Sequence, residues 1–372
     1  MISLRINHEI QALRGIAVLF VVVQHLDVLF FWAPHQWTLI GRGFWVGVDL
    51  FFCISGFVIA KDLLPRIEGK NGTEYWREIG AFWVRRLYRL SPSAWIWLAV
   101  PLLLTPFFQH LPLFSFNRAN IADAVSAVLH VSNFRFLKCT NDFSGCGWFA
   151  HYWSLSLEEQ FYLMLPVIFF FFRRFLVPVI LVLVLSQLFL VRTQWNGLLA
   201  FIRTDALLLG VLLAMFSASE TYKVLEPRID KSYLRFVAAP MLLVCLVVTT
   251  RYEIVTLFNG LASLLCVLII WLCSFDKGYF VQNIRLKRGL SRIGERSYAI
   301  YLIHMPAFWL TKEIWSRFMP DGFQFDGTFN VRFLTTAFVL TATLSELNLR
   351  LVERPLRRVG KLHSDRLLLI RV

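Results

Sequence analysis

Residues 14–25 read Arg-Gly-Ile-Ala-Val-Leu-Phe-Val-Val-Val-Gln-His, an apolar stretch with an arginine at one end and a histidine at the other. On an α-helix, a step of eleven residues returns to within about 20° of its starting direction and rises ~16 Å. Arg14 and His25 are therefore predicted to share one face of a membrane helix. Ionisable side chains at membrane depth are costly and usually face a cavity or a partner. This pair is the first place to look for chemistry.

The whole chain has the composition of a membrane protein. Of its 372 residues, 57% are hydrophobic and only 17% are charged. Apolar runs of about 20 residues recur along it, as membrane helices require. We predict an all-α, polytopic membrane protein whose residues 1–372 form a single domain. Ten spans are expected, at residues 10–31, 44–62, 92–108, 149–172, 175–191, 198–216, 236–250, 255–274, 295–316 and 331–351.

The net charge of +14 is explained by orientation, so no nucleic-acid partner is expected. Basic residues collect in the cytoplasmic loops of membrane proteins. With the N-terminus inside, 28 of the 38 lysines and arginines fall on the cytoplasmic side. The N-terminus and a basic tail at 352–372 are therefore predicted to be cytoplasmic, and segment 109–148 external. Disulfides persist on the outer side, which favours a Cys139–Cys146 bridge over two free thiols.

Several polar residues are predicted at a depth similar to that of His25. Glu158 and Glu159 are adjacent in the fourth span and therefore point about 100° apart. One of them can face His25 while the other pairs with an arginine; the alternative is a purely structural ion pair. Three further residues are predicted at this depth, and together with the glutamates they suggest a polar cavity that opens outward: Asp49, Arg203 and Asp205.

Arg85, Arg86 and Arg89 precede the third span on the predicted cytoplasmic side. Arg86 and Arg89 share a helix face, and the planar guanidinium suits phosphate. Positive-inside anchoring is the alternative explanation. His304, which is followed by Pro306, is given a structural role. Glu353-Arg354-Pro355 is expected to end the last span.

Seven motifs follow one another in the order typical of one family. On these motifs the chain resembles the acyltransferase-3 family of integral membrane acyltransferases, and the match spans residues 9–358. The motifs are Arg14-x10-His25, Gly47-Val-Asp-Leu-Phe-Phe-Cys-Ile-Ser-Gly-Phe57, Arg85-Arg-x-x-Arg-Leu-x-Pro92, Trp153-Ser-Leu-Ser-Leu-Glu-Glu-Gln-Phe-Tyr162, Arg203-x-Asp205, Ser297-Tyr-Ala-Ile-Tyr-Leu-x-His304 and Glu353-Arg-Pro355.

The resemblance implies a donor and a set of roles. The donor would be a cytoplasmic acyl-CoA, acetyl-CoA in the first instance, and no metal is implied. The coenzyme A phosphates would be bound by Arg86 and Arg89, with Arg85 beside them. His25 would act either as a general base or as the carrier of the acyl group. Arg14 would stabilise the donor or the leaving thiolate, and a glutamate would orient the imidazole. The substrate cavity would include Asp49, Ser55, Trp153, Arg203 and Asp205.

The acceptor implied by the resemblance is a saccharide hydroxyl on the outer side of a bacterial inner membrane. Lipopolysaccharide O-antigen, an exopolysaccharide, a lipo-oligosaccharide and a small glycoside all fit. Some relatives carry a fused C-terminal hydrolase-like domain, and this chain is expected to lack one. The competing functions are a transporter or flippase of a lipid-linked saccharide, since intramembrane ionisable residues also form proton relays, and a non-catalytic subunit of a polysaccharide assembly complex.

Overall fold

A computed structural model of the protein describes residues 7–107, 118–141, 145–191, 202–227, 232–320 and 322–369. Within these ranges the regular elements are helices, and no β-strand occurs. The α-helices are α1 (His8–Gln24), α2 (Leu26–Leu29), α3 (Pro34–Gly41), α4 (Gly47–Ile67), α5 (Gly72–Leu104), α6 (Arg118–Val128), α7 (Ser132–Asn141), α8 (Trp153–Phe172), α9 (Leu176–Leu188), α10 (Asp205–Phe216), α11 (Glu220–Val224), α12 (Ser232–Tyr252), α13 (Phe258–Ser274), α14 (Ile284–Glu295), α15 (Ser297–Phe318), α16 (Asn330–Asn348) and α17 (Arg354–Leu369).

Each predicted apolar span overlaps at least one of these helices. Three stretches of the described chain are long and apolar enough to cross a membrane, namely Phe44–Ile67, Gly72–Phe107 and Ala150–Leu188. Three shorter helical stretches are also apolar, and they are Asp205–Phe216, Val237–Tyr252 and Phe258–Ser274. The chain is thus an all-helical membrane protein in the part that the structure describes.

Three helix boundaries differ from the sequence-based expectation, namely the end of the first span, the start of the third and the end of the last. The first span does not run unbroken to residue 31, because α1 ends at Gln24 and the chain turns at His25. Beyond that turn, Leu29 and Phe30 pack against α15 and α16. The third span does not begin at residue 92, since α5 is one helix from Gly72 onward. The hydropathy of the sequence detects only the apolar C-terminal part of α5, because the part before residue 92 contains several charged residues.

The expected stop at Glu353-Arg354-Pro355 was also wrong. A π-helical turn at Leu349–Glu353 leads from α16 directly into α17. The buried Glu353 carboxylate accepts hydrogen bonds from Asn348 and from Arg357. Pro355 has no N–H to donate, and just before it the Arg354 N–H donates to the Leu349 carbonyl oxygen in the π-helical pattern. The motif therefore joins two helices.

Glycines allow the closest helix pairs to approach each other. A methyl group at Gly56 in α4 would lie 2.0 Å from the Leu207 carbonyl oxygen in α10. One at Gly210 in α10 would lie 2.2 Å from the Cys53 carbonyl oxygen in α4. Small residues at such crossings are a common means of packing helices in membranes. As a result, α4 and α10 pack backbone to backbone.

Helix α1 lies inside the bundle. It packs against α4, α13, α14 and α15, and Leu13, Ala17, Val18 and Val21 are buried among them. Both ends of the Arg14–His25 stretch are consequently surrounded by other helices. The cavities beside this stretch are therefore walled by side chains of several helices.

Candidate active site

Three cavities lie end to end along α1. The basic cavity is lined by His8, Gln11, Arg14, Arg89, Ser291, Arg292, Gly294, Glu295, Tyr298 and Arg357. The central cavity includes Arg14, Ser55, Arg86, Arg89, Glu158, Tyr162, Tyr298 and Tyr301 in its wall. The histidine cavity includes Gln24, His25, Trp45, Cys146, Trp148, His151, Trp153, Tyr301, Met305 and Trp309.

Shared wall residues establish the order of the cavities. The basic and central cavities share Arg14, Arg89 and Tyr298. The central and histidine cavities share Val48 and Tyr301. The cavity volumes are about 370 Å³ for the basic cavity, 60 Å³ for the central one and 380 Å³ for the histidine one. Two roomy ends are thus joined by a narrow middle.

The basic cavity collects positive charge from several helices. Arg14 comes from α1, Arg89 from α5, Arg292 from α14 and Arg357 from α17. The buried Nε atoms of Arg14 and Arg357 make no hydrogen bond within the described part of the chain. Buried N–H donors are normally satisfied, and guanidinium groups bind phosphate and carboxylate well. The residues present therefore fit an anionic ligand.

The three arginines of the α5 motif have different surroundings. Arg86 and Arg89 line the central cavity, and the Arg86 guanidinium lies over the rings of Phe82 and Tyr162, 5.4 and 5.3 Å from their centres. Arg85 instead donates a hydrogen bond to the Ser364 hydroxyl of α17 and lies in none of the three cavity walls. In the structure, Arg85 joins two helices and does not face the candidate donor site.

His25 occupies the turn that ends α1 and lines the histidine cavity. Its Nδ1 lies 2.8 Å from the Val21 carbonyl oxygen. A carbonyl can only accept, so Nδ1 carries the hydrogen, and in the neutral ring Nε2 keeps the lone pair. The protein backbone therefore selects the tautomer whose free lone pair is on the far nitrogen. That nitrogen is the one available as a base or nucleophile.

The two glutamates do not orient His25. Glu158 lies in the central cavity and accepts hydrogen bonds from the hydroxyls of Ser55 and Tyr162. Glu159 lines a small neighbouring space with Ser91 and other residues. The start of α8, at Trp153, is level with the histidine cavity, and Glu158 follows more than one turn later. Within the described chain, neither carboxylate hydrogen-bonds the imidazole.

Three residues expected in the substrate cavity lie in the packed core. Asp49 and Arg203 form an ion pair at 3.2 Å with both side chains buried. The Arg203 guanidinium also lies 4.7 Å from the centre of the Trp45 ring. Asp205 accepts a hydrogen bond from Ser263 at 2.9 Å. These residues hold α4, α10 and α13 together, whereas Ser55 and Trp153 do line the cavities.

Segment 109–148 contains a disulfide beside the histidine cavity. Cys139 at the end of α7 is bonded to Cys146, with 5.2 Å between the Cα atoms, and Cys146 lines the cavity. Residues 108–117 and 142–144 of this segment lie outside the described residues. Helix α7 is fixed to α8 by Ser132, whose backbone N–H donates to the Ser156 hydroxyl at 3.1 Å.

Some wall residues had no role in the sequence-based hypothesis. His151, Tyr301 and Trp309 meet His25 only through the tertiary fold, although Tyr301 lies inside the motif Ser297–His304. Arg357 was counted as part of a basic tail, where its charge had a sufficient explanation. Within the described chain, no group of three His, Cys, Asp or Glu side chains is arranged to hold a metal ion.

A helical bundle with an arginine-lined cavity and a histidine-lined cavity along one helix defines an integral membrane protein with a polar interior. The chain belongs to the acyltransferase-3 family, whose model, described as an acyltransferase domain, matches residues 7–345. The motifs that carried the resemblance thus identified the family.

The chain is similar to several characterised or named bacterial proteins. It is 28% identical over 381 residues to the peptidoglycan O-acetyltransferase OatA of Listeria monocytogenes, covering 95% of this chain and 56% of the relative. Identity is 27% to the putative peptidoglycan O-acetyltransferase YrhL of Bacillus subtilis, over 94% of this chain and 55% of the relative. The chain is also 28% identical to the O-acetyltransferase OatA of Staphylococcus aureus, over 97% of this chain and 58% of the relative. The chain thus spans a little over half the length of these relatives. No solved structure matches it.

Proposed function

We propose that this protein transfers an acetyl group from cytoplasmic acetyl-CoA to a hydroxyl of a glycan on the outer side of the membrane. The observation that carries the proposal is the row of cavities along α1, which runs from four arginines to His25. An anionic donor fits the first end, and a base or nucleophile lies at the other. Relatives named as O-acetyltransferases match nearly the whole chain, which supports the same class of reaction.

The proposed topology has ten spans with both termini in the cytoplasm. The excess of basic residues on one side of the chain supports this orientation. It puts the basic cavity at the cytoplasmic face and the histidine cavity near the outer face. In a bacterium that makes surface glycans, the membrane concerned would be the cytoplasmic (inner) membrane.

The donor would bind in two parts. Its phosphates would be held by Arg89, Arg292 and Arg357 at the basic cavity, and its slender pantetheine arm would extend through the narrow central cavity. Arg14 lines both cavities and is separated from His25 by ~16 Å of helical rise. At that distance it holds the donor, and it is too far from the thioester carbon to stabilise the leaving sulfur.

At the outer end, His25 Nε2 would take the proton of an acceptor hydroxyl. The freed oxygen attacks the thioester carbonyl, the carbon–sulfur bond breaks, and the imidazolium returns its proton to the coenzyme A thiolate. The same lone pair would also serve if His25 carried the acetyl group first. A burst of free coenzyme A, equal to the amount of enzyme and released before glycan is added, distinguishes the two routes, because only the second forms an acyl-enzyme without the acceptor.

The proposed acceptor site is the histidine cavity. Trp148 and Trp309 meet in its wall with their ring centres 5.4 Å apart, and flat aromatic faces pack well against the apolar faces of sugar rings. The relatives are named for peptidoglycan, which makes a cell-wall or surface glycan the acceptor class to test first. Of the acceptors considered from the sequence, O-antigen and an exopolysaccharide belong to that class.

The test incubates purified protein with acetyl-labelled acetyl-CoA and either peptidoglycan fragments or extracted surface polysaccharide. We expect label in the glycan with the wild type and none above background with His25→Ala. His35→Ala is the matched control, since His35 is exposed and lies outside the three cavities. Absence of transfer by the wild type to both glycans would favour the transporter or assembly-subunit functions.

A further inference from the structure

Beside His25 lies a second buried histidine with matching hydrogen-bond geometry. His304 of α15 is fully buried, and its Nε2 lies 3.3 Å from His25 Nδ1. The ring centres are 5.1 Å apart. His304 was expected to have a structural role because it lies mid-span before Pro306, and its contact with α1 arises only in the tertiary fold.

The direction of the histidine–histidine contact follows from the carbonyl partners. His304 Nδ1 lies 2.7 Å from the Tyr301 carbonyl oxygen, so this nitrogen carries the hydrogen and Nε2 keeps the lone pair. The hydrogen on His25 Nδ1 is fixed in the same way by the Val21 carbonyl. That hydrogen is therefore shared between Val21 O and His304 Nε2. Backbone carbonyl groups therefore fix the tautomer of both imidazole rings.

The surroundings prevent His304 from turning away. Its ring centre lies 5.9 Å from those of Tyr301 and Phe308 and 5.5 Å from that of His151. Tyr301 is itself held, because its hydroxyl donates to the His151 carbonyl oxygen at 2.7 Å. The acceptor nitrogen thus points at His25 in a rigid aromatic cluster.

We propose that His304 is a positioning residue for His25, an inference that rests on the proposed function. When His25 Nε2 takes the acceptor proton, the ring becomes an imidazolium and its Nδ1–H becomes a stronger donor. His304 Nε2 then stabilises this cation and holds Nε2 of His25 towards the cavity. After the carbon–sulfur bond breaks, the proton leaves His25 for the thiolate and the neutral pair is restored. The role parallels that of the carboxylate in a serine–histidine–aspartate triad, with a neutral acceptor in its place.

Two substitutions separate positioning from packing. His304→Leu fills the space without an acceptor, and His304→Gln puts a carbonyl oxygen near the former Nε2. A hydrogen bond to a charged group contributes enough for its loss to lower kcat about 10- to 150-fold. We expect that loss in His304→Leu with little change in KM for acetyl-CoA, and recovery of most of kcat in His304→Gln. Wild-type kcat in His304→Leu, or equal losses in the two variants, would overturn the proposal.

A second measurement does not depend on activity. In protein labelled with ring ¹⁵N-histidine in nanodiscs, we expect a ¹⁵N–¹⁵N coupling across the hydrogen bond between His25 and His304, lost in His304→Gln. Finding the His25 hydrogen on Nε2 would contradict the proposal, even in a sample that transfers acetyl groups normally. A wild type that shows the coupling but no transfer would instead count against the proposed function alone.

Discussion

Arginines four residues apart in one helix can have unrelated roles. Arg85 bonds Ser364 between two helices, while Arg89 lines both the basic and the central cavity. The Arg-x-x-Arg spacing predicted a shared face for Arg86 and Arg89, and both line the central cavity. The role of Arg85 depends on the position of α17, which no local pattern of the sequence specifies.

Replacing Arg89 with Gln is expected to raise KM for acetyl-CoA. The variant removes a charge-assisted hydrogen bond to phosphate, which corresponds to about a 10- to 150-fold change. Steady-state kinetics with varied acetyl-CoA measures it, and Arg85→Gln is the matched control, with KM expected to stay near the wild-type value. Equal KM changes in the two variants would argue against a donor site at the basic and central cavities.

At the same scale, the sequence identified which residues are unusual but not always how they are used. Helical geometry placed Arg14 and His25 along one path, and the cavities follow that path. Asp49 and Arg203 were equally unusual, yet they neutralise each other in the core at 3.2 Å. A buried ion pair and an open polar cavity require the same residue types, so only the tertiary contacts distinguish them.

Among the helices, the α4–α10 crossing depends on glycine. Gly56→Ala is expected to destabilise the protein, because the new methyl group would lie 2.0 Å from the Leu207 carbonyl oxygen and must separate the two helices. Gly80→Ala is the control, since no neighbouring atom lies within 4 Å of the added group and alanine favours helix by about 1 kcal/mol. When thermal unfolding is measured in detergent, only Gly56→Ala should have a midpoint below that of the wild type. A wild-type midpoint for Gly56→Ala would contradict the observed packing.

Helix α6 contains a buried acid outside the predicted spans. Asp123 lies 3.2 Å from Arg135 Nε. Burial raises the pKa of Asp123 from 3.8 to about 6, despite the opposing effects of Arg135 and the backbone N–H groups of Gly147 and Phe149. The folded state therefore binds the proton of the Asp123 carboxyl group more tightly than the unfolded state does. The resulting contribution to the stability of the fold is lost as pH rises through about 6.

Asp123→Asn is accordingly expected to gain thermal stability relative to the wild type as pH rises from about 4 to about 6, because over that range the unfolded wild type releases a proton that its folded state still holds. The difference between the two unfolding midpoints, measured across that range in the same detergent, checks this. A difference that stays constant with pH would show that Asp123 does not titrate there.

For the whole molecule, hydropathy predicted the helical class and the approximate place of the long apolar helices, but not α3, α6, α7, α11, α14 or α17. It missed the turn at His25 and the full length of α5, because helices begin and end where hydrogen bonds and packing allow. The ten-span topology is a prediction that accessible cysteines can test. Lys361→Cys in α17 and Thr328→Cys before α16 are expected on opposite sides.

A membrane-impermeant maleimide should label Thr328→Cys in intact cells and Lys361→Cys only after permeabilisation. The positive-inside distribution of basic residues is the reason for this expectation. Labelling of Lys361→Cys in intact cells would reverse the orientation and place the basic cavity on the wrong side for cytoplasmic acetyl-CoA.

The central claim is that an acetyl group crosses the membrane along α1 to His25. Its most direct test uses proteoliposomes of a single orientation, with labelled acetyl-CoA only on the side of the basic cavity and glycan only on the other. We expect labelled glycan with the wild type and none with His25→Ala. Undiminished transfer by His25→Ala, or transfer by the wild type only when donor and glycan are on the same side, would contradict it.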